Sequence, residues 1–130
     1  MSDLKARTRQ IFKDVFEKPG FDFELIKKHC HPDYIQHVDG KVLNFDQFVS
    51  HVKVLKSTLS DALITFDTLV QEGDTVCSAH RPSGKKAEGD AVEAKVIAVL
   101  KFKGEQLIYC DELTHIIQGE QHDKDLGSRL

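Results

Sequence analysis

Near residue 60 the hydrophobic period of this chain changes from that of a helix to that of a strand, and it does not change back. Before that point Leu4, Ile11, Phe12, Val15 and Phe16 share one helical stripe, and Phe45, Phe48, Val49, Val52 and Leu55 share a second. After it the apolar residues alternate: Val92, Ala94, Val96, Ala98, Leu100 and Phe102 lie on one face of a single extended run. Helices gathered ahead of strands cannot form repeating βαβ units. The expected class is α+β, with three N-terminal helices packed on a curved antiparallel sheet.

The element boundaries follow from local chemistry. Asp3 or Ser2 can cap a first helix reaching Glu17, which Pro19-Gly20 stops. A short second helix is predicted over Phe23 to Lys28, ending before His31-Pro32. Tyr34 to Gly40 is a short extended piece closed by Asp39-Gly40. Asn44 with Gln47 three residues on has the form of a capping box, opening a third helix over Phe45 to Lys56. Four strands are then predicted as a meander: Ala62–Val70, Thr75–His80, Ala91–Lys103 and Gln106–Gln118, with a polar loop from Pro82 to Asp90. The strand over Ala91–Lys103 carries apolar residues on both faces, Ile97 and Val99 adding to the second. Such a sheet needs two covers, so a homodimer through its outer face is expected.

At 130 residues the chain is read as one domain, 1–130, with 119–130 as a polar C-terminal tail. A net charge of −3 with dispersed cations gives no footprint for nucleic acid. No apolar run reaches bilayer-spanning length, so no membrane association is expected. Cys30, Cys77 and Cys110 form no CxxC pair and read as reduced thiols, which together with a start lacking a signal-like apolar stretch gives a cytoplasmic expectation.

The order of elements and several motifs resemble the SnoaL-like polyketide cyclase family of the nuclear-transport-factor-2-like superfamily. The motifs are Tyr34-Ile-Gln-His37-Val-Asp-Gly40, Phe45-Asp-Gln-Phe48, Gly73-Asp74-Thr-Val76 and Phe102-Lys-Gly104-Glu-Gln-Leu-Ile108. The resemblance implies a cone-shaped fold with an apolar pocket between the helices and the concave sheet, commonly dimeric. It also implies acid–base chemistry on enolisable carbonyl compounds, with no metal and no organic cofactor. The Glu-His-Trp-Asp run carried by many such chains on the last strand is Tyr109-Cys110-Asp111-Glu112 here, and the chain has no Trp.

Proton transfer near neutral pH calls for histidine or for a carboxylate displaced by burial. On the last strand Ile108, Cys110, Glu112, Thr114 and Ile116 alternate with Tyr109, Asp111, Leu113 and His115, and both rows are mixed. If the first row faces the cavity, desolvation raises the Glu112 pKa and suits it to general-base work. If the second does, Asp111 takes that role beside Tyr109. By the resemblance His37 edges the pocket mouth, and His37 or Tyr34 would hydrogen-bond a developing enolate oxygen. The catalytic candidates are therefore Glu112, Asp111 and His37. Candidates for substrate contact are Tyr34, His51 on the flank of the third helix, His80 on the second long strand, and Lys95, whose alternative is a solvated pair with Glu93. His29 and His31 flank Cys30 but lack further ligands nearby for a metal. His115 and His122 read as structural or solvent-exposed. Two functions remain open: a cofactor-independent isomerase, cyclase or lyase acting on a small apolar or carbonyl-bearing molecule, and a non-catalytic ligand-binding or dimeric protein-interaction module.

Overall fold

Each helix starts where the sequence supplies an acceptor for its free N–H groups. In the computed structural model, which describes residues 3–119, α1 (Leu4–Phe12) is capped by Asp3, whose side chain accepts from Ala6 N. The helix widens into a π-helical turn over Lys13–Glu17 before the chain breaks at Pro19-Gly20. Asp22 caps α2 (Phe23–His29), and Asn44 caps α3 (Phe45–Thr58) with the reciprocal Gln47 bond of a capping box.

Six strands form one sheet in the order β2-β1-β6-β5-β4-β3. They are β1 (Cys30–Val38), β2 (Lys41–Leu43), β3 (Leu59–Glu72), β4 (Thr75–Lys86), β5 (Ala91–Lys103) and β6 (Gln106–Gln118). The last two match the sequence-based bounds. Three features differ from the expectation, the first being β2 itself, which pairs antiparallel with β1 where no strand was predicted. The extended piece around Tyr34 is a full strand lying beside β6, parallel to it, so the sheet is mixed rather than purely antiparallel. β4 also runs through Pro82 to Lys86, where a loop was expected. The β4–β5 ladder omits Arg81 and Pro82, and proline's missing N–H is tolerated at that gap.

Register shifts interrupt the β3–β4 pairing between Ser60 and Leu63 and again between Phe66 and Thr68. Each inserts a residue on β3 and bends it. Asp61 sits in the first of these with φ 53°. The inner face then wraps the apolar stripes of α1 and α3: Ile11, Phe12, Val15, Phe48 and Val52 pack with Val76, Val96 and Leu100 in one core. The outer face keeps Val70, Ile97 and Leu113 exposed. Gly119 is the last described residue, so the polar tail and His122 lie outside the described part of the chain.

Candidate functional site

Because the inner residues of the sheet do not fill the space under the helices, a cavity of about 540 Å³ remains between them. Phe12, Phe16 and Phe48 roof it from the helices, and Val92, Val96 and Leu100 belong to its sheet wall. Within this apolar lining lie a few polar side chains, among them Tyr34, Gln36, His51, His80, Glu112 and Thr114.

Alternation decides which face of β6 contributes. Leu107 and Cys110 are buried, and Glu112, Thr114 and Ile116 line the cavity. Asp111 points to the outer face and is exposed. Glu112 is reached by a relay: the Tyr34 hydroxyl donates to Gln36 Oε1 at 2.6 Å, and Gln36 Nε2 donates to Glu112 Oε1 at 2.9 Å. Burial pushes the Glu112 carboxyl up to about 8, and the negative charges of Asp39 and Asp111 add to the rise. Burial likewise lifts the Tyr34 hydroxyl well above its usual range and the Cys30 thiol to about 12.

His80 occupies the opposite side of the same floor. Strand register aligns Phe66, His80, Val96 and Thr114 in one row across β3, β4, β5 and β6. His80 and Thr114 are two strand spacings apart, about 10 Å between backbones. Glu112 lies one alternation along from Thr114. Nδ1 of His80 shares a 2.8 Å hydrogen bond with Ser78 Oγ, which fixes the ring and leaves Nε2 for the cavity. Phe12 and Phe66 flank the ring at centroid distances of 5.1 and 5.4 Å. Burial drives the His80 pKa down to about 4, with the positive charge of Lys95 adding to the fall. His51, on α3, is buried among the lining residues.

Three sequence candidates, His37, Asp111 and Lys95, fall outside the cavity, contrary to expectation. His37 alternates away from Tyr34 and Gln36, so it faces outward, its ring 5.6 Å from Tyr109. Asp111 is its register partner on β6, on the same outer face. Lys95 alternates against Ala94 and Val96, and its Nζ binds Asp67 Oδ2 at 2.6 Å rather than reaching the cavity. Arg81 and Lys95 hydrogen-bond Asp67 and hold its carboxyl well below the usual range. The alternative Lys95–Glu93 pair does not form either: Asp67 takes Lys95, and Arg81 takes Glu93 at 3.4 Å.

His29 and His31 also part company. His29 is buried at the end of α2 with Nε2 2.8 Å from Asp14 Oδ2, while His31 Nδ1 accepts from Asp33 N. Gln36 was not singled out in the sequence, although its alternation with Tyr34 would have placed it. The side chains of Glu17 and Lys56 also line the cavity and are engaged by backbone: Glu17 Oε2 accepts from Ile64 N at 2.6 Å, and Lys56 Nζ donates to the carbonyls of Phe16 and Lys18.

No protein-family model matches the sequence. The uncharacterised protein C11D3.04c of Schizosaccharomyces pombe is 34% identical over 126 residues, covering 97% of this chain and 96% of the yeast protein. The chain belongs to that protein's family. Its fold is the SnoaL-like, nuclear-transport-factor-2-like one. AclR, a candidate hydroxylase from Streptomyces galilaeus, superposes with a TM-score of 0.77 at 14% identity, over 100% of this chain and 88% of AclR. A candidate SnoaL-like polyketide cyclase from Jannaschia sp. CCS1 superposes with a TM-score of 0.67 at 14% identity, over 88% of this chain and 89% of the cyclase. At those identities the likeness concerns the fold, and the chemistry of this chain has to be argued from its own cavity. Among the described residues, no helix is long and apolar enough to cross a membrane.

Proposed function

We propose that this SnoaL-like domain binds a small, neutral, apolar carbonyl compound and isomerises it by paired proton transfer between Glu112 and His80. The observation that carries the reading is the Glu112 carboxyl, set in an apolar cavity at the end of the Tyr34–Gln36 relay with its pKa raised to about 8. At neutral pH such a carboxyl holds its proton, so it acts as the donor, the reverse of the general-base role expected from sequence. His80, lowered to about 4, is unprotonated and can accept.

In the forward step the C–H bond next to the carbonyl breaks and its proton passes to His80 Nε2. The electron pair forms a C=C bond as the carbonyl oxygen takes the Glu112 proton. The products of the step are an enol, a carboxylate and an imidazolium. Where the ketone is β,γ-unsaturated this enol is a conjugated dienol; return of the imidazolium proton to its γ-carbon, and of the enol proton to Glu112, moves the C=C bond into conjugation with the carbonyl and restores both groups. The step invokes neither metal nor organic cofactor. Tyr34 stands behind Gln36, and His51 faces the same space as a substrate contact.

The domain is further proposed to pair with a second copy of itself. Ile97 and Leu113 are register partners on the outer face and remain 54% and 68% exposed. Charges of both signs border them, Asp67, Arg81, Lys95 and Glu93 on one flank and Asp111 on another. Such a mixed border suits a self-complementary two-fold contact. The exposed, unpaired Cys77 on this face suits a reducing compartment, and the cytoplasm is the proposed location.

The test is a screen of neutral cyclic ketones against the wild type, Glu112→Gln and His80→Asn. The reading expects proton exchange with deuterated water, or double-bond migration, in the wild type, and a loss of about 100-fold or more in each variant. A ketone that binds the wild type without exchange, and binds the variants equally well, would instead mark a non-catalytic binding module.

A further inference from the structure

Asp39 grips the backbone of β6 at Glu112 itself and at Thr114, two residues on. Its N–H donates to the Glu112 carbonyl at 3.2 Å, and its Oδ1 accepts from Thr114 N at 2.8 Å. The parallel pairing of β1 with β6 ends one residue earlier, at Val38 opposite Glu112. Past that point the chain turns away through Asp39 at φ 50° and Gly40 at φ 86°. A side-chain carboxylate therefore meets the Thr114 N–H where a longer β1 would have offered a carbonyl. Asn suits a left-handed turn position as well as Asp does. What Asp adds is a negative charge beside the cavity's buried carboxyl.

We infer that Asp39 is a positioning residue for Glu112, fixing the strand that carries it and, through its charge, keeping the proton on its carboxyl. The inference rests on the reading of Glu112 as the proton donor. The surroundings of Glu112 agree with it. β1 presents the Tyr34 hydroxyl and the Gln36 amide, α3 presents His51, and β4 presents His80 across the floor. On β6 itself the neighbours are the Cys110 thiol, raised well above its usual range by burial, and the outward-facing Asp111. The negative charges that add to the effect of burial on Glu112 come from Asp39 and Asp111. Of these two, Asp39 is the one hydrogen-bonded to the β6 backbone at Glu112 and Thr114.

The experiment is a carboxyl-carbon NMR titration of Glu112 in the full chain, with amide exchange read at Thr114, for the wild type, Asp39→Asn and Asp39→Ala. Asp39→Asn retains an acceptor for Thr114 and removes the charge. It is expected to lower the Glu112 midpoint by about half a unit at low salt, less at high salt, with Thr114 still protected. Asp39→Ala removes both and is expected to speed Thr114 exchange at least tenfold as well. An unmoved Glu112 midpoint in Asp39→Asn, or equal Thr114 protection in both variants, would overturn this inference and leave the donor reading standing. A wild-type Glu112 midpoint near 4.5 would overturn the donor reading, and this inference with it.

Discussion

Gln36 and Glu112 meet across the parallel pair of β1 and β6, Nε2 of the first donating to Oε1 of the second at 2.9 Å. The two residues are separated by 76 positions, and their contact joins the helical half of the chain to its last strand. The buried Tyr34 hydroxyl completes the relay behind them, so that a titrating group is held in place by two groups that stay neutral.

Replacing Glu112 by Gln should change how stability depends on pH. The carboxyl is raised from 4.5 in the unfolded chain to about 8 in the folded one, so the folded state binds the extra proton. The wild type gains from this fully below pH 4.5 and loses the gain as pH rises through 8. Urea denaturation at successive pH values should show a decline on the order of 5 kcal/mol across that window, absent in Glu112→Gln. Parallel curves for the two proteins would contradict the raised pKa.

For His80 the sign is opposite. Its pKa falls from 6.5 to about 4 on folding, so its contribution is complete above pH 6.5 and is lost as pH falls through 4. His80→Asn keeps a partner for Ser78 and cannot titrate. It should retain on the order of 3 kcal/mol that the wild type loses between pH 6.5 and 4, measured by thermal melts.

Asp14 ties the π-helical turn to the end of α2. Burial would raise its carboxyl, but hydrogen bonds from His29 and Gln10 outweigh it and hold the pKa below the usual value. Among the described residues Nδ1 of His29 has no partner, so Asp14→Ala would leave both ring nitrogens of a buried histidine unbonded there. A loss of about 1–3 kcal/mol is expected. Asp14→Asn retains an acceptor and should lose less, an order that chemical denaturation of both variants can check.

Asn44→Ala removes one half of the α3 capping box and strands the Gln47 N–H. The expected cost is about 1 kcal/mol. A drop in melting temperature of roughly 3–5 °C would register it.

Leu113→Asp should separate the proposed dimer without disturbing the cavity, because its side chain lies on the outer face. Sedimentation equilibrium is expected to give a dimer for the wild type and a monomer for the variant. A wild-type monomer at tens of micromolar would remove the pairing proposal.

Period and capping chemistry are local, and the elements that depend on them were legible. Asn44 and Gln47 announced α3, and the alternation from Val92 to Phe102 matched β5. The strand around Tyr34 was seen as an extended piece but not as a neighbour of β6, since nothing within its nine residues encodes a partner so distant in sequence. The site was legible in part for the same reason. Alternation puts Glu112 and Asp111 on opposite faces but does not say which face turns inward, and His37, expected at the pocket mouth, faces outward beside Tyr109.

By itself, then, the sequence determined which residues share a face, where helices begin and that helices precede strands, because each depends on neighbours a few positions away. Tertiary structure alone decided which face became the cavity wall. Bulges at Asp61 and Asp67 bend β3, and the wrapping of the sheet around Phe12, Phe16 and Phe48 encloses one row of β6 while leaving the other in solvent. A carboxylate's pKa depends on how much water it has lost, and that loss at Glu112 is created only when β1, α3 and β6 close together.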